Sequence, residues 1–285
     1  MPSEKLVWVM TFTVKIRAKT DNLRRIIKYT KNPLNCILAY AFHNKKRIKF
    51  RWGFSGDFDW KSIWFILKLA EAEWCLCDHK DLFAFTDGKF SFYVSNFDDV
   101  GSLIDKPSPL HCFDYRNAVV LDVGAFTGDS VVLFFKWGAR KVIAYEPVPK
   151  NVKLMKLNVK VNKLEEKVTV MPYAVSDEKG FAEFSYDDFD NSFGLNPGKF
   201  KIKFPSVSFE QVLNRIEDVD IAKVNCEGCE KHLLEVNDLR IHRWVIQVHH
   251  AYLLPLLINH FKNRGFDVAV NKESIPPLLQ CKKKE

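Results

Sequence analysis

Val119-Val120-Leu121-Asp122-Val123-Gly124-Ala125-Phe126-Thr127-Gly128-Asp129 is the stretch whose reading decides the fold. The run Ala118–Val123 is almost wholly apolar, as a strand covered on both faces must be. A glycine turn follows at once, and the spacing predicts a helix over 129–137, closed by Gly138. Gly124 lets the backbone turn sharply and lets another group approach it closely. Gly128 lets the new helix pack near the strand it has just left. The first turn of that helix offers backbone N–H groups with no partner inside the helix.

Outward from this unit the same alternation recurs. Strands are expected at Lys141–Glu146, Lys167–Val175, Ala222–Asn225 and Trp244–His249. Helices are expected over 149–162, from about Gly228, and up to Arg264 with Gly265 as C-cap. A βαβ rhythm of this kind predicts an α/β fold, a Rossmann-like, doubly wound, mostly parallel sheet, over residues 115–285. Residues 1–114 read as an α+β extension that is basic and aromatic. It holds a short basic helix at 21–31 (Leu23, Ile26 and Ile27 on one side) and a strand at Ile48–Trp52. A helix at 60–74 carries Ile63, Ile66, Leu67 and Ala70 at helical spacing, and two strands, Leu82–Thr86 and Phe90–Val94, flank an Asp87-Gly88 turn. Pro107 and Pro109 mark a linker into the larger domain.

With 285 residues, 47% hydrophobic and 14% aromatic, the chain can bury a sizeable core and is not a disordered or fibrous sequence. No apolar run reaches the roughly 18 residues that span a bilayer. The stretch Leu6–Ile16 has no basic segment before it and reads as a strand rather than a signal peptide. Seven scattered cysteines do not resemble a secreted disulfide framework, which makes a cytoplasmic setting the expectation. The net charge is +8, and between Lys15 and Arg51 twelve Lys and Arg face one acid, Asp21. Such a block suits an anionic partner, either a nucleic acid or a membrane surface, or else a solvated face.

The spacing of the glycine turn separates two nucleotide cofactors. Dinucleotide sites use G-x-G-x-x-G, whereas this turn is D-x-G-x-x-x-G. Asp122, two residues before the turn, would repel a pyrophosphate but would suit S-adenosylmethionine, which carries an ammonium and a sulfonium. Glu146 ends the second strand 22 residues after Gly124, near the separation at which an acid reaches ribose hydroxyls. A carboxylate there can accept from both hydroxyls of an unphosphorylated ribose.

From about Tyr115 to Val270 the sequence resembles the FkbM family of methyltransferases. Asp122-Val123-Gly124-Ala125 with Gly128-Asp129 looks like that family's D-V-G-A-N-x-G-D turn. Glu146-Pro147-Val148-Pro149, followed by Asn151, Asn158 and Asn162, is similar to its E-P-x-P helix start with periodic Asn. Tyr173 and Ala174-Val175-Ser176-Asp177 correspond to the segment the family places near the adenine. Lys223-Val224-Asn225-Cys226-Glu227-Gly228-Cys229-Glu230 looks like its K-I-D-V-E-G-A-E motif. Phe126 stands where the family has Asn, Asn225 where it has Asp, and Gln247 where Glu often precedes the histidine of the fifth strand. The resemblance implies S-adenosylmethionine as cofactor and O-methylation of a small-molecule or glycan hydroxyl. It assigns Asp122, Gly124, Ala125, Gly128, Asp129, Glu146, Pro147, Tyr173, Ala174 and Asn225 to the cofactor.

Methyl transfer is a displacement at an already activated carbon, so the protein aligns the reactants and excludes water. An alcohol acceptor also gains from a general base. His249 is the expected base, since imidazole titrates near neutrality. Glu227 and Asn225 also lie at carboxyl ends of strands, where such sites are built, and Glu227 can equally cap a helix. His250 should point away from His249 if the strand continues. Cys226 and Cys229 form a C-x-x-C pair that the family motif accounts for without redox chemistry or, with Cys75 and Cys77, zinc. Asp187, Asp188 and Asp190 beside Asn191 and Ser192 read as a solvated acidic loop, and no metal is expected. Two further functions fit the same residues: an RNA methyltransferase docking through the basic block, and a non-catalytic cofactor-binding protein.

Overall fold

The computed structural model describes residues 21–79, 81–96, 102–103, 108–177, 180–186 and 200–284. They fall into two compact units. The first runs up to Lys89. The second takes Phe90–Val94, a short piece ending at Leu103 and the chain from Ser108 onward, so it begins earlier in sequence than residue 115.

In the first unit, helix α1 covers 21–29 and helix α2 is Pro33–Phe42. Strands β1 (Lys46–Lys49) and β2 (Ser55–Phe58) pair antiparallel. Helix α3 (Trp60–Glu71) follows, capped by the Asp59 side chain accepting from the Ser62 backbone N–H. Strands β3 (Cys75–His79) and β4 (Phe83–Thr86) pair antiparallel across a bulge at Leu76/Asp78. Of the basic block, Lys15, Arg17 and Lys19 lie outside the described residues. Arg24, Lys28, Lys31, Lys45, Arg47, Lys49 and Arg51 are exposed, and Arg25 is held by Glu71 at 2.7 Å.

The second unit is built on seven strands. Along the chain these are β6 (Val119–Val123), β7 (Lys141–Tyr145), β8 (Val168–Met171), β12 (Ile221–Val224), β13 (Arg243–Gln247), β14 (Phe266–Asn271) and β15 (Leu278–Lys283). Their order across the sheet is β14-β15-β13-β12-β6-β7-β8, with only β15 antiparallel to its neighbours. Strand order therefore reverses between β6 and β12, the place where an open α/β sheet holds its ligand. Helices α4 (Asp129–Lys136), α5 (Pro149–Val161), α6 (Phe209–Arg215) and α7 (Leu253–Lys262) flank the strands. A core of Leu121, Val123, Val224, Trp244, Ile246, Leu257 and Phe261, among others, packs on one side of the sheet.

The expected third strand is interrupted. Pro172 lacks the N–H that a ladder needs, so β8 ends at Met171, and Ala174–Val175 form a separate strand, β9. Strand β9 joins a side sheet with β10 (Gly180–Tyr186) and β11 (Phe200–Val207), in the order β10-β11-β9. The helix expected from Gly228 is a 3-10 helix, Cys229–Glu235. The acidic loop at 187–192 lies outside the described residues. No helix among the described residues is long and apolar enough to cross a membrane.

The family-like asparagines of α5 have a structural use. Strand β5 (Ser91–Val94) lies against this helix. Asn158 accepts from the Tyr93 N–H at 2.7 Å and donates to the Tyr93 carbonyl at 3.0 Å, while Asn162 does the same with Ser91 at 2.8 and 2.6 Å. Side chains one helical turn apart thus meet backbone groups two residues apart, and each amide substitutes for one residue of a partner strand.

Candidate active site

The turn after β6 is held by tight backbone approach. Gly124 has φ +77°, and a Cβ placed on it would lie 1.9 Å from the Asn225 carbonyl oxygen. The ends of β6 and β12 therefore touch at the switch point through a residue that must be glycine. Gly124 and Ala125 both donate to the Tyr145 carbonyl at 3.0 Å, which ties the turn to β7 as well. Gly128 is the N-cap of α4 with φ +85°, and a Cβ there would meet Met155 Cγ at 2.9 Å. Phe126, between them, also sits in the left-handed region at φ +50°. That explains the family's Asn at this position, since Asn tolerates this conformation better than a bulky side chain does.

Asp122 is fully buried, and its carboxylate is already engaged. Lys223 Nζ lies 2.8 Å from Oδ1, and Ser130 donates to Oδ2 at 2.6 Å. Lys223 also donates to the Gly124 carbonyl at 2.7 Å. Lys223, on the neighbouring strand, thus sets a positive charge against Asp122 and ties that pair to the turn. Asp129 accepts from the Ser102 N–H at 2.6 Å, and burial pushes its carboxyl up from the ordinary carboxylate range.

Glu146 reaches the turn directly. Its Oε2 accepts from the Phe126 N–H at 3.0 Å, and its Oε1 accepts from Val148 N–H at 2.9 Å and Asn151 at 3.3 Å. Burial pushes its pKa up to about 7 against the pull of these donors. Of roughly four acceptor positions on a carboxylate, three are used, which leaves one for a hydroxyl unless the long Asn151 contact gives way. Pro147 is half-buried beside Glu146. Tyr173 is half-buried at the margin of the main core, whereas Ala174 is buried in a satellite cluster with Val148, Ala182, Phe184 and Phe204.

At the carboxyl ends of β12 and β13 the structure brings together a pair that the sequence reading had not joined. Glu230, fully buried, accepts from the His249 backbone N–H at 2.8 Å and lies 3.3 Å from His249 Nδ1. Its other oxygen accepts from the Gly228 N–H at 2.8 Å. Burial opposes charge on Glu230, but the His249 side chain and backbone outweigh it and hold the carboxyl below its ordinary range. A carboxylate on Nδ1 selects the tautomer whose Nε2 carries the lone pair. The available signal was the final Glu of the motif, one helical turn beyond Glu227. Glu227 itself has φ +52° and is half-buried, and Asn225 donates its backbone N–H to the Val123 carbonyl at 2.9 Å. His250 stacks loosely on Tyr252, with ring centroids 5.7 Å apart. Cys226 and Cys229 are joined as a disulfide with Cα atoms 5.5 Å apart.

The Methyltransferase FkbM domain family matches this chain over residues 122–268. No curated protein matches it. Among solved structures, precorrin-6y C5,15-methyltransferase from Geobacter metallireducens GS-15 superposes with a TM-score of 0.40 at 14% identity, covering 59% of this chain and 81% of that one. Methyltransferase FkbM from Methylobacillus flagellatus KT superposes with 0.41 at 16% identity, covering 61% and 45%. TrmK of M. capricolum, in complex with S-adenosylhomocysteine, superposes with 0.40 at 13% identity, covering 60% and 64%.

Proposed function

The chain belongs to the methyltransferase FkbM domain family, and on that premise we propose that it moves a methyl group from S-adenosylmethionine to a hydroxyl of a small-molecule or glycan acceptor. The cofactor supplies an activated methyl on a sulfonium. The observation that carries the O-methylation reading is the Glu230–His249 pair, a carboxylate 3.3 Å from Nδ1 of a half-buried imidazole at the strand ends. With Nδ1–H directed at Glu230, His249 Nε2 would take the proton of the acceptor hydroxyl, whose oxygen would receive the methyl group that the bound cofactor supplies. Glu230 stabilises the imidazolium that results and does not itself titrate in the step. Gly124, Phe126 and Glu146 would cradle the nucleoside, with Asn225, just past the end of β12, packed against Gly124.

The test combines binding and turnover. Calorimetry with S-adenosylhomocysteine should show binding that does not depend on His249. Transfer of labelled methyl to hydroxyl acceptors should fall roughly a hundredfold or more in kcat for His249→Ala, with cofactor affinity unchanged. Absence of cofactor binding would sink the whole reading. Full turnover in His249→Ala would sink only the assignment of the base.

A further inference from the structure

Past the end of β9, Asp177 meets two residues of the 3-10 helix Cys229–Glu235. In a 3-10 helix the side chains at i and i+3 eclipse, so His232 and Glu235 stand in one row. His232 Nε2 is 3.5 Å from Asp177 Oδ1, and its Nδ1 is 3.6 Å from Glu235 Oε1. One ligand atom from each of the three residues lies within 4.8 Å of the others. His232 is only 4% exposed, and neither ring nitrogen has a hydrogen-bond partner among the described residues. A buried imidazole left in this state is unfavourable, so the site invites an explanation.

An ion pair explains it poorly. Both contacts are longer than the roughly 2.7–2.9 Å of a charge-assisted hydrogen bond. Burial, aided by Lys231, lowers the pKa of His232 against the opposing pull of Asp177 and Glu235. The ring stands, without a hydrogen-bond partner among the described residues, between two exposed carboxylates.

We propose that Asp177, His232 and Glu235 form a binding site for a divalent transition-metal cation of the zinc class. Two ligands about 2.0–2.1 Å from a tetrahedral ion stand about 3.4 Å apart, close to the Nε2–Oδ1 separation of 3.5 Å. The long exposed side chain of Glu235 has the rotamer freedom to close on the same ion, and water completes the shell. A fixed imidazole favours zinc, cobalt or nickel over calcium and magnesium, which prefer all-oxygen shells. Two carboxylates and a neutral imidazole carry a charge of −2, which a divalent ion cancels. Such an ion would tie the segment after β9 to the short helix that also carries Glu230.

The experiment uses the full-length, tag-free protein freed of metal by a chelator, titrated with zinc chloride by calorimetry and with cobalt chloride by absorption. One equivalent should bind, raise Tm and, with cobalt, give the bands of a tetrahedral nitrogen–oxygen shell. Asp177→Asn and His232→Ala should each lower affinity at least tenfold. Asp177→Asn alters a mostly exposed side chain, so its metal-free Tm should match that of the parent and show that the fold is intact. Lack of zinc binding in the micromolar range, or binding that neither substitution weakens, would overturn the proposal.

Discussion

Glu230 Oε1 accepts the backbone N–H of His249 at 2.8 Å and lies 3.3 Å from Nδ1 of the same residue. One buried oxygen therefore sets both the position of the strand end and the orientation of the ring on it. Glu230→Gln keeps the shape and removes the charge. Its kcat should fall roughly 10- to 100-fold while KM and cofactor affinity change little, a split that a merely structural role would not give. The folded-state pKa of Glu230 is depressed, so its contribution to stability is present above about 4.5 and is lost as pH falls through the folded value. The Tm gap between the parent and Glu230→Gln should accordingly narrow in acid. An unchanged kcat would remove Glu230 from the mechanism.

Glu146 has the opposite sign. Burial raises its pKa from 4.5 to about 7. Its contribution to stability is therefore full below about 4.5 and is lost as pH rises through about 7, where the buried carboxyl is forced to ionise. The ionised form would be the better acceptor for a ribose hydroxyl. Affinity for S-adenosylhomocysteine should rise as pH increases through about 7, and the rise should vanish in Glu146→Gln. Glu146→Ala should weaken binding by roughly 1–3 kcal/mol. A flat pH profile in the parent protein would mean that Glu146 serves the turn alone.

Lys223 and Asp122 are 3% and 0% exposed, on adjacent parallel strands. Lys223→Met leaves a buried carboxylate without its cation, and the cost should be about 3–5 kcal/mol in urea unfolding. Asp122→Asn added to Lys223→Met should recover part of that loss, because the stranded charge is gone. If the single variant costs less than about 1 kcal/mol, the pair does not brace the turn.

Two substitutions within the turn should act in opposite directions. Gly124→Ala would place a Cβ 1.9 Å from the Asn225 carbonyl oxygen at a positive φ, and soluble folded protein should be lost or its Tm should collapse. Phe126→Asn relieves a left-handed φ of +50° at a half-buried residue and should raise stability by about 1 kcal/mol. A drop in Tm for Phe126→Asn would show that the ring's packing outweighs its backbone strain.

The sheet and its central turn were legible because their signals are local. An apolar run, a glycine and a helix start are neighbours in the chain, and they placed β6, α4, β7 and α5 to within a residue or two of 119–161. The strands β14 and β15 are harder to read because exposed polar residues such as Asp267 and Lys282 interrupt their apolar pattern. The spacing of Asp122, Gly124, Gly128 and Glu146 was enough to single them out. What each side chain touches was decided only by the tertiary fold. Lys223 lies 101 residues from Asp122, Asn158 lies 65 from Tyr93, and Glu230 lies 19 from His249. No periodicity links such partners. Lys223 and Asp122 meet because parallel strands bring distant chain segments side by side, and Asn158 meets Tyr93 because helix α5 packs on β5, so that burial leaves each polar group only its nearest partner.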